Sequence, residues 1–451
     1  MKKQIVALAA LAFAVPALAN TADEALTGDT IAWDFVESIT TEVGPRMPGT
    51  EQEARGRTWA MAWLKRNGFA NVADEPFEME TWVRGQELAW VTAPFAQPMA
   101  ITALSTTSST GPEGIEAEVV YFPSFADLRD AEAGSLAGKI AFVSHDMRPA
   151  QDGSGYGFAG PARWTAPSLA ASKGAVATVI RSVGTDNHRV PHTGTTTFAE
   201  GVEPIPAGAL SNPDADNLER MFERGQTVRM KLLLTPRDLG TTTSGNVVGE
   251  ITGRDPSLPP VLLACHLDSW DLGTGAIDDG AGCGIIAAAA KHVAAQGRPL
   301  RTIRLLFAGA EETGLWGSAA YAKAHADEPV YVGLESDFGA DRIWKFDTNF
   351  TASDPALFGQ IARAVARFGV APSRGVASGG ADLNLVREQG GALIDLRQDG
   401  TRYFDLHHTA DDTLDKIDAV QLRQNVAVWT EVVGILANRE GPILRSAAPA
   451  N

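Results

Sequence analysis

Cysteine is almost absent. Only Cys265 and Cys283 occur among 451 residues, which excludes a disulfide framework and a zinc cage built from thiolates. Any metal must therefore rest on His, Asp and Glu. Positive charge is also scarce: 38 Lys and Arg face 55 Asp and Glu, a formal charge of -17, and no basic stripe interrupts the surplus. Nucleic acid and anionic membrane surfaces are poor partners for such a chain. Beyond the first twenty residues no apolar run approaches the roughly 20 needed to span a bilayer. The remaining composition, 44 % hydrophobic and 21 % charged with 45 Gly and 25 Pro, excludes disorder, collagen and coiled coil. The length suits about three domains, or one large enzyme core with an insertion.

The chain opens with Lys2 and Lys3, an apolar run over 5–15, and Ala17, Leu18 and Ala19 at cleavage spacing. This is the pattern of a bacterial secretory signal peptide over 1–19, with an uncleaved anchor as the alternative reading. It implies a periplasmic or secreted protein, free of the membrane after cleavage.

The pattern over 28–69 is helical, with Ala54, Trp59, Ala60, Trp63 and Leu64 on one face and Asn67-Gly68 as a stop. From about 117 to 236 the texture becomes short β-like runs (117–122, 139–144, 175–181 and 228–234) around a helix at 214–224. We read this stretch as an inserted module. After it, strands at 261–264, 302–308 and 330–334 alternate with helices at 282–295 and 318–325. This order predicts an α/β fold with a mixed, largely parallel central sheet covered by helices on both faces. A strand at 392–396 and a long helix at 418–436 follow. The expected organisation is signal peptide 1–19, core 20–116, inserted module 117–236, core with the site 237–440, and tail 441–451.

The chemistry gathers in short strings. His266 and Asp268 follow a strand in HLDSWD, where the carboxylate is close enough to orient the imidazole. Alone, such a pair is more often structural. Asp278 and Asp279 precede a Gly-rich helix start; helix capping explains one of them well and two less well. Glu311 and Glu312 follow the strand at 302–308, where successive side chains diverge in extended backbone. Asp337 ends the next strand, and His408 stands before the last helix. A solvated loop pair, a turn and a surface cap are the bland readings of these three. What changes the balance is coincidence, because all lie at the carboxyl ends of predicted strands or in the loops beyond them, where open α/β sheets assemble their sites. Two His and three carboxylates suit two Zn²⁺ ions, with one carboxylate bridging. Glu311 is then left over to serve as the base of a hydrolase.

HLDSWDLGTGAIDDGAG, EETGLWGS, ESD and YFDLHHTADDT, in that order, together with GPRMPGTEQEA near Gly44, make the chain resemble the co-catalytic di-zinc aminopeptidases, and among them the carboxypeptidase Q-like peptidases. The likeness covers about 30–114 and 241–438. It implies a fold of zinc-exopeptidase type and a bridging Asp278, with His266 and Asp337 on one zinc, Glu312 and His408 on the other, and Glu311 as general base. His408 rather than His407 is implied because it stands four residues before Asp412. A cis peptide between Asp278 and Asp279 is implied as well, as are substrate contacts from Gly380, Asp382 and Tyr403, and a homodimer. GKIAFVSHDMR, KGAVATVIRS and IPAGALSNPDADNLERMFERG resemble a protease-associated domain, so His145, His188 and His192 are not expected as ligands, although His188 or His192 could reach substrate across the cleft. Cys265 and Cys283 read as small buried hydrophobes, with a bridge as the less favoured alternative.

The implied activity is hydrolysis of short peptides or dipeptides from a free N-terminus by a metal-activated water. A one-zinc glutaminyl cyclase and a non-catalytic binding protein on a peptidase scaffold are the alternatives; the full set of ligands and the base count against both.

Overall fold

The computed structural model describes residues 21–445, so the expected signal peptide and most of the tail lie outside the described residues. The central sheet has five strands in the order Ala70–Val83, Arg237–Ile251, Ile303–Ala308, Val261–His266 and Val332–Glu335. The last three are mutually parallel and the first two antiparallel, so the sheet is mixed, as expected.

The strand Val261–His266 shows why this sheet is covered on both sides, since all six residues are buried. Successive side chains alternate faces. Leu263 and Cys265 join the cluster of the helices Ile31–Glu42, Ala281–Ala295 and Ala419–Asn438. Leu262 and Ala264 join Tyr321, Leu385 and Val386 from the opposite face. Alanine at 287–290 keeps the helix Ala281–Ala295 thin enough to pack closely, and Gly284 approaches Ala32 so nearly that a Cβ would lie 2.8 Å from its carbonyl oxygen.

Three sequence expectations meet a different structure. The helical stretch at 28–69 is two helices, Ile31–Glu42 and Glu51–Arg66, separated by Gly44, Pro45, Pro48 and Gly49; proline lacks the N–H that a continuing helix needs. Thr50 caps the second, accepting the Glu53 N–H at 3.4 Å. Cys265 and Cys283 are not separate thiols but a disulfide, with Cα atoms 5.2 Å apart. The strand end and the first turn of the following helix face each other there, which spacing alone does not reveal. The long antiparallel arms Ala70–Val83 and Arg237–Ile251 were not anticipated, because the paired stretches 74–80 and 237–243 are mostly polar and reach towards solvent, and so look like loop.

Between these arms the chain forms a second sheet of eight strands, all within residues 87–234. It begins at Glu87–Ala93, upstream of the boundary expected at 117, and its middle strands, from Ile115–Phe122 to Ala207–Leu210, are parallel. A third sheet, Ala371–Pro372, Ile343–Thr348 and Ile394–Gln398, touches the central one through a bridge between Gly333 and Leu393. Among the described residues no helix is long and apolar enough to cross a membrane.

Candidate metal centre and active site

The carboxyl ends of Val261–His266, Ile303–Ala308 and Val332–Glu335 lie side by side, and the expected residues converge beyond them. His266 ends its strand with Nε2 3.1 Å from Asp278 Oδ1 and 3.6 Å from Asp337 Oδ1. On the other side of Asp278, Oδ2 lies 3.5 Å from His408 Nε2, which is 3.0 Å from Glu312 Oε2. Two imidazole and carboxylate sets thus flank one central carboxylate. The peptide between Asp278 and Asp279 is cis.

The two adjacent aspartates divide their work. Asp279 accepts the N–H groups of Gly282 at 3.1 Å and His266 at 3.2 Å, which ties the helix start to the strand end. Asp278 is left to face the site. Asp268 does more than orient a ring: its carbonyl oxygen is 3.1 Å from His266 Nδ1, and its carboxylate accepts the main-chain N–H groups of Glu311 at 3.1 Å and Glu312 at 3.2 Å.

Burial sets the electrostatics. Burial pushes the carboxyls of Asp278, Glu311 and Glu312 up, and neighbouring carboxylates push them further; Glu311 feels Asp337, Asp268 and Asp278. Burial alone would lower His266, yet Asp268, Asp278 and Asp337 hold it well above its ordinary value. Burial and the neighbouring His407 and Arg163 hold His408 well below, hence neutral, the form that ligates metal. Asp278 Oδ2 and Glu312 Oε1 are buried with no hydrogen-bond partner. Buried carboxylate oxygens in this state call for a cation. The His, Asp and Glu donors, with His266, Asp278 and Glu312 forming one close group and Asp278, His407 and His408 another, fit zinc chemistry.

His407 stacks on His408 with ring centroids 3.5 Å apart, and its Nε2 is 3.8 Å from Asp278 Oδ2. His408 is nearer to both Asp278 and Glu312. Of the substrate contacts implied above, Tyr403 borders the site and lines the same cavity as Asp278. Gly380 packs on Glu335, where a Cβ would sit 2.4 Å from Oε1. Asp382 is buried, does not line the cavity, and both its carboxylate oxygens lack partners. His192 is buried against Asp186 and the His407 carbonyl. His188 is exposed beside Asp411. Neither lines the cavity, nor does His145.

Several supporting residues hold the backbone around these side chains. Asp412 accepts the N–H groups of Ile277 at 2.6 Å and Asp278 at 3.3 Å; burial and Asp278 push it up to about 7. Arg46, fully buried, donates to the carbonyls of Leu267, Gly44, Thr274 and Gly275, and burial pulls it down to about 10. The second sheet also reaches the site. Its Thr193 N–H donates to the His408 carbonyl at 3.0 Å, its carbonyl is 3.2 Å from His408 Nδ1, and the Thr195 hydroxyl donates to the Glu312 carbonyl at 2.5 Å. Tyr156, Arg163, Trp164 and Thr195 close one side of a cavity of about 420 Å³ over the carboxylates.

The model of peptidase family M28 matches residues 246–433, which takes in the candidate site. Carboxypeptidase Q of Bos taurus is 34 % identical over 413 residues, 90 % of this chain and 84 % of the relative, and that of Homo sapiens is 32 % identical over 409 residues, with the same coverage of both chains. A crystal structure of a peptidase M28 precursor from Shewanella amazonensis superposes with a TM-score of 0.91 at 43 % identity, covering 95 % of this chain and 98 % of that one. A zinc aminopeptidase from Bacillus subtilis shares the fold, with a TM-score of 0.65 at 18 % identity over 92 % and 97 % of the two chains.

Proposed function

The chain belongs to the M28 peptidases, and from that premise we propose that it is an exported di-zinc exopeptidase that cleaves short peptides, dipeptides above all, next to a free N-terminus. One observation carries the reading: Asp278 stands between His266 with Asp337 and His408 with Glu312, and Asp278 and Glu312 each keep a buried oxygen without a partner. In this reading His266 and Asp337 would hold one ion, Glu312 and His408 the other, and Asp278, between them, would be shared by both. Bound there, zinc lowers the pKa of a water towards neutrality and polarises the scissile carbonyl.

The chain's own groups do the rest. Glu311 takes the proton from the attacking water and delivers it to the leaving amine, work that contributes about 10² to 10⁴ in rate. Asp268 fixes the backbone of Glu311 and Glu312 and, through its carbonyl, the His266 ring. The module between the antiparallel arms acts as a protease-associated domain that covers the cleft and excludes water, and the cavity of about 420 Å³ favours short substrates. The signal-like start supports export, and so does the Cys265 to Cys283 bridge, which persists in oxidising compartments.

The test is mass spectrometry of short peptides, free or N-acetylated, incubated with the mature protein with and without a chelator. Cleavage that both N-acetylation and chelation abolish is expected. Cleavage of the acetylated peptides, or no cleavage by zinc-replete protein, overturns the reading.

A further inference from the structure

His408 holds a backbone conformation that its residue type disfavours. Its φ is +63°, in the left-handed region where a residue other than glycine stays only if its surroundings fix it. The turn follows the short helix Tyr403–Leu406, and beyond that helix the main-chain carbonyls of His407 and His408 each need a donor. Both donors come from the inserted module, in the segment between its strands Ala177–Arg181 and Ala207–Leu210. His192 Nδ1 stands 2.7 Å from the His407 oxygen, and the Thr193 N–H donates to the His408 oxygen at 3.0 Å. Earlier in the same segment, Thr185 donates its N–H to the Phe404 carbonyl at 3.0 Å and its hydroxyl to Asp405 Oδ1 at 2.6 Å. The module thus clasps the whole stretch from Phe404 to His408.

The side chain of His192 is fixed in its turn. Only 1 % of the residue is exposed. Its Nε2 lies 2.5 Å from Asp186 Oδ2, and its N–H donates to the Ser182 hydroxyl at 2.8 Å. Asp186 accepts the His188 N–H at 2.7 Å, and its carbonyl accepts from the Asn212 amide at 3.0 Å. A Cβ on Gly184 would lie 2.3 Å from the His192 ring, so the glycine there makes space for it. A carbonyl oxygen can only accept, so His192 Nδ1 is the donor to His407. We propose that His192 is a positioning residue for the ligand pair Glu312 and His408: by holding the His407 carbonyl it keeps the left-handed turn that aims His408 Nε2 at Glu312 and Asp278. Through it the inserted module helps to set how tightly one of the two ions is bound.

This rests on the two-ion reading, and the experiment separates the two. Asparagine and glutamine divide the ring's contacts between them: both amides donate, the asparagine nitrogen from the place of Nδ1 and the glutamine nitrogen from that of Nε2. Stepwise zinc affinities of the wild type, His192→Asn and His192→Gln are measured by competition with a fluorescent chelator. In His192→Gln one of the two affinities should fall about 10-fold to 100-fold, the range usual for a group that supports a metal ligand, with the other unchanged. His192→Asn, which keeps the donor to His407, should hold both ions nearly as the wild type does. If His192 served only to pair the buried Asp186, the order would reverse, because His192→Asn is the variant that strands that carboxylate; that order overturns the proposal. So does a His192→Gln with both affinities intact, or with both lowered alike. A wild type that holds fewer than two ions refutes the two-ion reading itself and removes the proposal with it.

Discussion

The carboxylate of Asp268 accepts the main-chain N–H of Glu311 at 3.1 Å, so a loop that follows one strand fixes the candidate base at the end of the next. The same residue offers its carbonyl oxygen to His266 Nδ1. Asp268→Asn keeps the shape but turns an ionised acceptor into a neutral amide. We expect kcat to fall about 10-fold to 100-fold, the range usual for groups that orient a metal ligand, with the fold preserved. Steady-state kinetics together with circular dichroism checks this.

Glu311→Gln should retain metal and lose at least about 10² in kcat, because the amide cannot accept the proton. Metal analysis beside single-turnover kinetics decides it. Unchanged turnover, or loss of zinc, would remove Glu311 from its role.

The strap from the second sheet makes a separate prediction. Thr195→Val removes the hydroxyl that donates to the Glu312 carbonyl and leaves the volume nearly the same. Affinity for one of two zinc ions should fall by about 10-fold, and the other should be unaffected. Competitive titration with a fluorescent zinc chelator reads both.

Glu53 gives a prediction about stability and pH. Buried beside Arg57 and Ser244, it is raised by burial from 4.5 to about 7. A carboxyl raised in the folded state holds its proton longer there than in the unfolded chain. Its share of stability is therefore fully present below about 4.5 and is lost as pH rises towards 7, a change of about 3 kcal/mol. In Glu53→Gln that part of the pH dependence should vanish. Urea unfolding of both proteins across this range is the measurement.

Arg46 is a structural counterpart. Arg46→Met would leave the carbonyls of Gly44, Leu267, Thr274 and Gly275 without their donor. Each buried unpaired group costs about 1–3 kcal/mol, so the variant should unfold at markedly lower denaturant.

Much of this was legible in the sequence, for reasons that particular residues make plain. The buried strand Val261–His266 reads as an apolar run ending in a polar site because both its faces are covered. His266, Asp278, Glu312, Asp337 and His408 could be picked out because each sits at the carboxyl end of a strand or in the segment beyond it, and the fold brings those ends together. Arg46, Arg163 and Thr195 were not legible. They act from 220 or more residues away in Arg46 (to Leu267), 245 in Arg163 (to His408) and 117 in Thr195 (to Glu312), and no local period marks a side chain whose partner is a distant carbonyl or ring. The Cys265 to Cys283 bridge was only the less favoured reading for a related reason: 18 residues of spacing do not tell that a strand end meets a helix start.

The most direct test of the central claim is the zinc content of the mature protein after dialysis against a zinc buffer, with Asp278→Asn beside it. The account predicts two tightly held ions per chain in the wild type, and at most one in the variant, because the bridging carboxylate serves both. A wild type that holds one ion or none, or an Asp278→Asn that still holds two with the same affinities, would contradict it.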